Sequence, residues 1–374
     1  MSDNIMDTQN YLKDHMVRYG SMTLGAFFEL CVSDPQYGYY AQKEPFGRRG
    51  DFTTAPEISQ MFGEMVGAWV FDVWQKMNKP DAFNLVEFGP GRGTLMKDIV
   101  RVTTKDEAFK QAVHVTLIDT SPTLRQVQKD ALSEYNVNWS TGLSEISAAI
   151  PSILIGNEFL DALPIEQLTR NENGWQKRVV KYDETQECFS FGWEDAGVEL
   201  IELLPTKTQS HQIYEIAPAR CEFIKDACAH LSQSGGASLW IDYGYTTRHY
   251  GDTLQAVKNH EYSNVLCDVG QSDITAHVDF QALQGVVDEY DTLSTDDTTQ
   301  GAFLRNVGVE YRALALKNAI CKSHDPKKAS NKLEKLDKDL ERLISIDEMG
   351  QLFKVMSIYD RAMTLSGFDS RLNK

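Results

Sequence analysis

The chain has 374 residues, of which 42% are hydrophobic and 24% are charged. This is the composition of an ordinary globular protein, and it excludes a disordered chain or a fibrous repeat. Asp and Glu number 54 against 37 for Lys and Arg, which gives a formal net charge of −17. Because such a chain repels phosphate backbones, we expect no nucleic-acid partner.

The sequence predicts neither a membrane span nor a targeting signal. Its apolar stretches are far shorter than the roughly 18–20 residues that cross a bilayer, and its acidic start lacks the basic and apolar regions of a signal peptide. The six cysteines show no metal-ligand spacing and no disulfide framework, so we expect reduced thiols and no metal. We therefore expect a cytoplasmic bacterial protein, whose oligomeric state the sequence does not give.

Helical patterns alternate with short apolar strands along most of the chain. A long buried helix is predicted over residues 58–77, following a helix start at Thr54 or Ala55 with Pro56 in the first turn. Buried strands are predicted at residues 84–89, 114–119, 152–158 and 237–243, with helices at 94–102 and 121–132. This alternation predicts an α/β protein with a mostly parallel sheet that helices cover on both faces.

Other regions interrupt this alternation. Residues 165–215 predict an inserted antiparallel hairpin region, residues 322–342 a solvated amphipathic helix, and residues 352–359 a last strand. The predicted domains are an N-terminal helical and cap segment, a core in two parts that carries a cap insertion, and an inserted β-hairpin and helical region. The N-terminal segment spans residues 1–55 and the inserted β-hairpin and helical region spans 165–234. The core consists of residues 56–164 and 235–374, with its cap insertion at about 245–350.

The most informative segment is a glycine-rich loop between a predicted strand and a predicted helix, Glu87-Phe-Gly-Pro-Gly-Arg-Gly93. Glycines at such a turn let a ligand approach the backbone. Asp119 closes the next predicted strand, where a carboxylate can accept hydrogen bonds from two ribose hydroxyls. Together these features predict a cofactor that contains a nucleoside.

The spacing of the glycines indicates which cofactor is bound. Dinucleotide sites favour G-x-G-x-x-G, whereas E-x-G-x-G-x-G is typical of class I S-adenosylmethionine-dependent methyltransferases, and the acid suits a cationic ligand. Residues 51–54 have the small and polar groups of a loop that folds over a ligand. A dinucleotide site and an ordinary tight turn are the alternatives. The predicted cofactor-binding residues are Glu87, Gly89, Pro90, Gly91, Gly93, Asp119, Thr53 and Thr54.

Two acids and an amide follow the third predicted strand. Asn157, Glu158 and Asp161 stand at the carboxyl end of the sheet, where a methyl acceptor must align with the donor. Carboxylates there can orient a guanidinium and take up its proton, so we predict these three residues as catalytic. The alternative is that Glu158 caps a turn and Asp161 lies on the surface. Tyr37, Tyr39 and Tyr40 are candidates either for a lid over the ligand or for the core.

Several segments together resemble the MidA family of class I methyltransferases, which is related to a mitochondrial complex I assembly factor. The segments are residues 37–40, 50–59, 87–93, 156–164 and 273–280. The resemblance continues through residues 299–304 to 353–356 and so covers nearly the whole chain. Leu160 stands where an aromatic residue is common, and residues 322–342 have no recognised counterpart.

The resemblance implies a seven-stranded methyltransferase core with family-specific insertions and S-adenosylmethionine as methyl donor. It places the cofactor on Gly89, Gly91 and Gly93, the ribose on Asp119, and the acceptor beside residues 157–161. The mitochondrial relatives imply methylation of an arginine in a complex I subunit, and thus a protein partner. The alternatives are a small-molecule or carboxyl methyltransferase on the same scaffold, and an assembly chaperone that binds the cofactor without catalysis.

Overall fold

The structure is a computed structural model that describes residues 8–42, 54–205, 208–247, 250–258, 260–322 and 325–368. The helices in these residues are α1 (Thr8–Tyr19), α2 (Leu24–Val32), α3 (Tyr39–Gln42), α4 (Ala55–Ile58), α5 (Gln60–Lys76), α6 (Thr94–Thr103), α7 (Glu107–Ala112), α8 (Pro122–Ala131), α9 (Val198–Ile201), α10 (Pro218–Ser234), α11 (Phe280–Val287), α12 (Gln300–Val307), α13 (Val309–Cys321), α14 (Pro326–Ile344) and α15 (Met349–Leu352).

The strands in the described residues are short. They are β1 (Met22–Thr23), β2 (Phe83–Phe88), β3 (Val113–Ile118), β4 (Val137–Ser140), β5 (Ser152–Asn157), β6 (Glu166–Asn171), β7 (Gly174–Asp183), β8 (Cys188–Asp195), β9 (Ile213–Ile216), β10 (Gly236–Tyr245), β11 (Gln255–Lys258), β12 (Glu261–Ser263), β13 (Asp273–Thr275), β14 (Val278–Asp279), β15 (Leu293–Thr299) and β16 (Phe353–Asp360). Among the described helices, none is both long and apolar enough to cross a membrane.

Contacts within the chain group its residues into two compact units. The first unit consists of Met1–Phe52, Asp161–Phe223 and Thr247–Asp279. The second unit consists of Thr53–Leu160, Ile224–Thr246 and Phe280–Lys374. The domain boundaries predicted from sequence stay a prediction.

A sheet with a topological switch point organises the second unit. Seven of its strands run in the order β15-β16-β10-β5-β2-β3-β4. The strands from β10 to β4 are parallel neighbours, and β16 runs antiparallel to both β10 and β15. The chain leaves β2 towards β3 on one side and later returns to β5 on the other, and ligands bind at the carboxyl ends of such strands. The predicted seven-stranded, mostly parallel sheet is confirmed.

Tight packing of α5 on α6 covers one face of this sheet. A Cβ atom on Gly63 would lie 2.6 Å from the Asp98 Cβ, and one on Gly67 would lie 2.6 Å from a Val102 methyl carbon. Only glycine therefore allows the two helices to approach so closely. The buried side of α5 includes Trp69 and Trp74, and each large apolar side chain of this kind contributes about 2–3 kcal/mol by leaving water.

The helix predicted over residues 58–77 is interrupted near its start. Ser59 has an extended backbone with φ −155°, and its hydroxyl accepts a hydrogen bond from the Met61 N–H. A new helix, α5, therefore begins at Gln60, and the preceding residues form the separate single turn α4 with Thr54 at its N-cap. Apolar spacing continues across Ser59, so periodicity alone did not show the break.

The first unit contains the predicted antiparallel insertion. Strands β1, β7, β6 and β9 lie side by side in that order, and β8 pairs with β7. The β6–β7 hairpin turns at Gly174, whose φ of 124° favours glycine. A core that includes Leu12, Phe27, Phe28 and Ile274 lies in this unit. A smaller sheet of β12, β11 and β13 belongs to it as well.

The charged segment near residue 330 and the last strand also follow the predictions. The segment forms α14, which begins at an Asp325 cap and buries Leu343 and Ile344 at its end. The last strand is β16. Strand β15 was not predicted, because it lies at the edge of the sheet and its sequence from Ser294 to Thr299 is entirely polar.

A buried carboxylate fastens three helices of the second unit together. Glu64 on α5 is 3% exposed and accepts hydrogen bonds of 2.6 and 2.8 Å from Arg312 on α13. Arg101 on α6 lies 3.0 Å from Glu64 Oε1, the oxygen that also accepts the 2.8 Å hydrogen bond from Arg312. Burial alone would raise the pKa of Glu64, but the hydrogen bonds and charges of Arg312 and Arg101 hold that pKa below its usual value.

We predict that Arg312→Met lowers the free energy of unfolding by about 1–3 kcal/mol at pH 7, because it leaves a buried carboxylate with one partner fewer. Both arginines are about a third exposed, which reduces the expected loss below that of a fully buried pair. The difference should shrink as pH falls below 4.5, the usual value for Glu, and through the lower pKa that Glu64 has in the folded protein. Urea denaturation measures both quantities.

Lys317→Met on the same helix is the matched control. Lys317 pairs with Asp337 at the surface, so its loss should cost at most about 0.5–1 kcal/mol. Equal losses for the two variants would show that the buried cluster contributes nothing beyond a surface ion pair.

Candidate functional site

The glycine-rich loop leaves β2 at the switch point of the sheet. Its three glycines have φ angles of 59°, 52° and 79°, at Gly89, Gly91 and Gly93 respectively. The Gly93 N–H donates to the Pro90 carbonyl at 2.7 Å, and Gly93 is the N-cap of α6. The loop is thus a bare stretch of backbone at the positive end of a helix, which a ligand can approach closely.

Gly89 is constrained by the protein itself. A Cβ atom at this position would lie 2.9 Å from the ring of Phe159. Phe159 follows β5, and its ring centroid is 5.8 Å from that of Phe88 at the end of β2. The exits of β2 and β5 therefore pack directly against each other.

Glu87 lies near the end of β2 and is 3% exposed. Burial and, to a smaller extent, the nearby Asp119 charge raise the pKa of its carboxyl to about 8, although a hydrogen bond from the Met96 N–H opposes the shift. Among the described residues, its Oε2 atom has no hydrogen-bond partner. At pH 7 a carboxyl with this pKa is largely protonated, so it offers a ligand a hydrogen bond rather than a negative charge. This corrects the expectation that the charge of Glu87 suits a cationic ligand.

Asp119 follows β3, beside the loop. Its Oδ1 accepts from the Ser121 N–H at 2.8 Å, and its Oδ2 accepts from the side-chain amide of Gln128 at 2.6 Å. Burial raises the pKa of Asp119, and these two hydrogen bonds together with the Arg125 charge oppose the rise. Each oxygen keeps a second lone pair. A half-buried, firmly held carboxylate at this place suits a ribose.

The exit of β5 holds a strained residue in a fixed position. Glu158 has φ 51°, a region that non-glycine residues seldom adopt, and its N–H donates to the Ile241 carbonyl at 2.9 Å. The next two amides, of Phe159 and Leu160, both donate to Asp242 Oδ2, at 3.1 and 2.9 Å. Asp242 is 1% exposed, so a buried carboxylate maintains the strained turn.

The Glu158 side chain is held as firmly as its backbone. Its Oε1 accepts from the Ala55 N–H at 3.0 Å and from the Asn157 side-chain amide at 3.2 Å. At the other end of α4, Glu57 accepts a hydrogen bond of 2.6 Å from Thr94, the first residue of α6. The short helix α4 therefore links the exit of β5 to the helix that follows the glycine-rich loop.

The remaining predicted residues are placed as follows. Thr54 is the N-cap of α4 without a side-chain capping bond, and Thr53 lies outside the described residues, as does most of the loop predicted to fold over a ligand. Asp161 belongs to the first unit, where it is buried and its carbonyl accepts from Arg220 at 3.0 Å. The structure thus brings Asn157 and Glu158 together with the glycine-rich loop in the second unit.

The aromatic segment predicted as lid or core also lies in the first unit. Tyr39 is fully buried, which fits the core alternative for that residue. The Tyr40 hydroxyl donates to Asp273 at 3.0 Å. Burial raises the pKa of this hydroxyl well above its usual value, and the charges of Asp273 and Asp161 raise it further.

The residues at the switch point fit S-adenosylmethionine. Glu87 Oε2 and Asn157 Oδ1 are buried atoms without hydrogen-bond partners in the described part of the chain, and they stand at the ends of the adjacent strands β2 and β5. Buried polar atoms are normally satisfied, so orphans beside a bare glycine-rich loop indicate a place for a polar ligand. Asp119 adds an acceptor for ribose hydroxyls at the end of β3.

One side chain of this region, Gln128, escaped prediction from sequence. For Asp242, the sequence predicts either a residue that faces the site or part of a structural turn. Gln128 reaches Asp119 from α8, and Asp242 reaches the turn after β5 from the end of β10. Asp242 closes a predicted strand, which is a weak signal for a site residue. For Gln128, the signal was a polar residue four positions after Leu124 on the buried side of a helix.

Comparisons with known proteins show which family this chain resembles. Residues 65–299 match the family described as "Putative S-adenosyl-L-methionine-dependent methyltransferase". The protein arginine methyltransferase NDUFAF7, mitochondrial, of Danio rerio is 30% identical over 376 residues, which cover 94% of this chain and 86% of that protein. Its human counterpart is 28% identical over 365 residues, covering 91% of this chain and 80% of that protein.

A solved structure shares the fold over almost the whole length. A protein from Burkholderia thailandensis, crystallised with S-adenosyl-homocysteine, superposes with a TM-score of 0.83 and 24% identity. The superposition covers 99% of this chain and 97% of that one. Because the identity is low, this likeness supports the fold alone.

We predict that Glu87→Gln stabilises the protein by about 2–3 kcal/mol at pH 7. With a folded-state pKa of about 8 against 4.5 in the unfolded chain, Glu87 costs stability progressively as pH rises between these values. Glutamine has nearly the shape of the protonated acid and keeps an acceptor for the Met96 N–H. Urea denaturation at several pH values should show the gain disappear below about pH 4.5.

The exposed Glu134 provides the control, since Glu134→Gln changes the same chemical group on the surface. A Glu87→Gln variant that is less stable than the parent, or a difference that does not vary with pH, would contradict the prediction that the acid is buried in its neutral form.

Proposed function

Since this chain belongs to the family of S-adenosyl-L-methionine-dependent methyltransferases, we propose that it methylates an arginine side chain of a protein. The observation that carries the proposal is the carboxylate of Glu158, held at the switch point by a strained backbone and two hydrogen bonds. The related proteins named protein arginine methyltransferase support the same acceptor.

In this proposal, the residues around the glycine-rich loop hold the cofactor. When bound, S-adenosylmethionine supplies an activated methyl group on its sulfonium. The backbone of Gly89, Pro90, Gly91 and Gly93 lies against its amino-acid part, and Asp119 accepts from its ribose hydroxyls. Glu87 donates a hydrogen bond to the cofactor, and Thr54 at the N-cap of α4 is proposed as a further contact. Thr53, which lies outside the described residues, stays a prediction.

The exit of β5 would position the acceptor. A guanidinium presents a planar pair of N–H groups, which one carboxylate can accept together. Glu158 would orient the guanidinium and take up the proton that it loses as the new C–N bond forms. Asn157 holds Glu158 through its amide and can accept a further hydrogen bond at Oδ1. Asp161, which lies in the first unit, stays a prediction from sequence.

The acceptor protein is proposed to be a subunit of respiratory complex I or its bacterial equivalent, as the family resemblance implies. The formal charge of −17 suits a basic segment of a partner protein. In a bacterium, we propose the cytoplasm as the place of the reaction.

Labelled S-adenosylmethionine and a lysate of cells that lack the protein provide a direct test. We expect label in methylarginine after acid hydrolysis of the protein fraction, and no transfer when the chain is omitted. Label confined to small molecules, or to carboxyl esters that mild base removes, would overturn the arginine proposal. Saturable cofactor binding without any transfer would indicate a chaperone that binds the cofactor without catalysis.

We predict that Glu158→Gln lowers turnover by at least about a hundredfold, in the range seen when an acid–base group is removed. Glutamine still accepts from the Ala55 N–H, so the affinity for S-adenosyl-homocysteine should stay within about threefold of the parent. Calorimetry and the transfer assay measure the two effects. Glu134→Gln is again the control, and unchanged turnover in Glu158→Gln would remove this carboxylate from the reaction.

A further inference from the structure

Gln128 contacts two of the residues proposed to hold the cofactor, although it is not itself one of the predicted residues. It is on α8, which begins after the Ser121 cap, and it is 0% exposed. Its amide nitrogen donates to the Gly91 carbonyl at 2.8 Å and to Asp119 Oδ2 at 2.6 Å. Its amide oxygen accepts from the indole N–H of Trp139 on β4 at 2.9 Å.

The partners fix the orientation of this amide. The Gly91 carbonyl and the Asp119 carboxylate can only accept, and the Trp139 indole can only donate. An amide turned by 180° would face two acceptors with its oxygen and a donor with its nitrogen. The side chain therefore has one orientation, in which both of its N–H groups point at the residues proposed to hold the cofactor.

We propose that Gln128 is a positioning residue for the cofactor, which sets the distance between the glycine-rich loop and the carboxylate that takes the ribose. One rigid amide joins the loop after β2 to the acid after β3. The inference rests on the proposed placement of S-adenosylmethionine at Gly91 and Asp119. The link needs no second side chain, because the amide nitrogen of Gln128 donates both to the Gly91 carbonyl and to the Asp119 carboxylate.

A neighbour on the same helix contacts the strand ends through backbone atoms. Arg125 donates to the backbone carbonyls of Asp119 and Ser140, both at 2.7 Å. It therefore ties the ends of β3 and β4 to α8. In contrast to Gln128, its hydrogen bonds reach neither the Asp119 carboxylate oxygens nor the glycine-rich loop in the contacts described.

The test compares S-adenosyl-homocysteine with its 2′-deoxy analogue, which lacks one ribose hydroxyl. By calorimetry, the unchanged protein should prefer S-adenosyl-homocysteine by about tenfold, the value of one hydrogen bond to a charged group. In Gln128→Leu, we expect about tenfold weaker binding of S-adenosyl-homocysteine but at most about threefold weaker binding of the analogue. The preference for the ribose hydroxyl should therefore largely disappear.

Two further variants separate positioning from general loosening. Gln126→Leu makes the same change at an exposed position of α8, where Gln126 bonds only to Asp130 among the described contacts, and both affinities should stay within about twofold. Arg125→Met should lower the melting temperature, because it removes two hydrogen bonds that tie the ends of β3 and β4 to α8. If Gln128→Leu weakens both ligands by the same factor, Gln128 is merely structural and the inference is overturned.

Other outcomes remain interpretable. If Gln128→Leu does not fold, Trp139→Phe removes the donor that orients the amide and should reduce the preference for the ribose hydroxyl by about two- to fivefold; an unchanged preference would overturn the inference. If Asp119→Asn leaves the preference intact in an otherwise normal protein, the proposed placement of the ribose fails. A normal loss in Asp119→Asn with no change in Gln128→Leu rejects the positioning role alone.

Discussion

The site depends on one constraint, which is that bare backbone at the end of a sheet must be held by side chains from elsewhere. In the turns that follow β2, β3 and β5, several backbone groups find their hydrogen-bond partners outside the turn. Three polar side chains, the buried Gln128 and Asp242 and the half-buried Glu158, satisfy carbonyls and amides of these turns or link them to neighbouring segments. A neutral hydrogen bond of this kind is worth about 0.5–1.5 kcal/mol net and one to a carboxylate about 1.5–3 kcal/mol, and leaving a buried group unpaired costs about 1–3 kcal/mol. The loss of any one of these side chains is therefore expected to cost more than the bond itself, because it leaves a buried group of a turn without a partner.

This constraint connects the packing of the second unit to its chemistry. The Glu158 backbone is strained, and strain persists only where surrounding contacts determine it. Here Asp242 and the Ile241 carbonyl do so, and α4 fixes the carboxylate from the other side. Because α4 is also bonded to the first residue of α6, the acceptor side and the cofactor side share one short helix. A group positioned before reaction needs no reorganisation during it, which is where most of a methyltransferase's advantage can lie.

The sequence predicts the scaffold well and the supporting contacts poorly. Strands β2, β5 and β10 appear as continuous apolar runs because helices cover both faces of a parallel sheet. Strand β15 has a polar edge sequence, and the break at Ser59 interrupts no apolar pattern, so neither could be predicted by periodicity. The glycine-rich loop and Asp119 can be predicted from sequence, because few sequences have these residue types in this order and at this spacing. Gln128 and Asp242 act on backbone atoms distant in sequence, and only the fold brings those atoms to them.

The most direct test of the central claim is a crystal structure of the protein with S-adenosyl-homocysteine. We expect the ribose hydroxyls within hydrogen-bond distance of the Asp119 carboxylate, the amino-acid part along Gly89 to Gly93, and the sulfur facing the exit of β5 at Glu158. Density for the ligand at another place, or a crevice at the ends of β2 and β3 filled by protein side chains, would contradict the account.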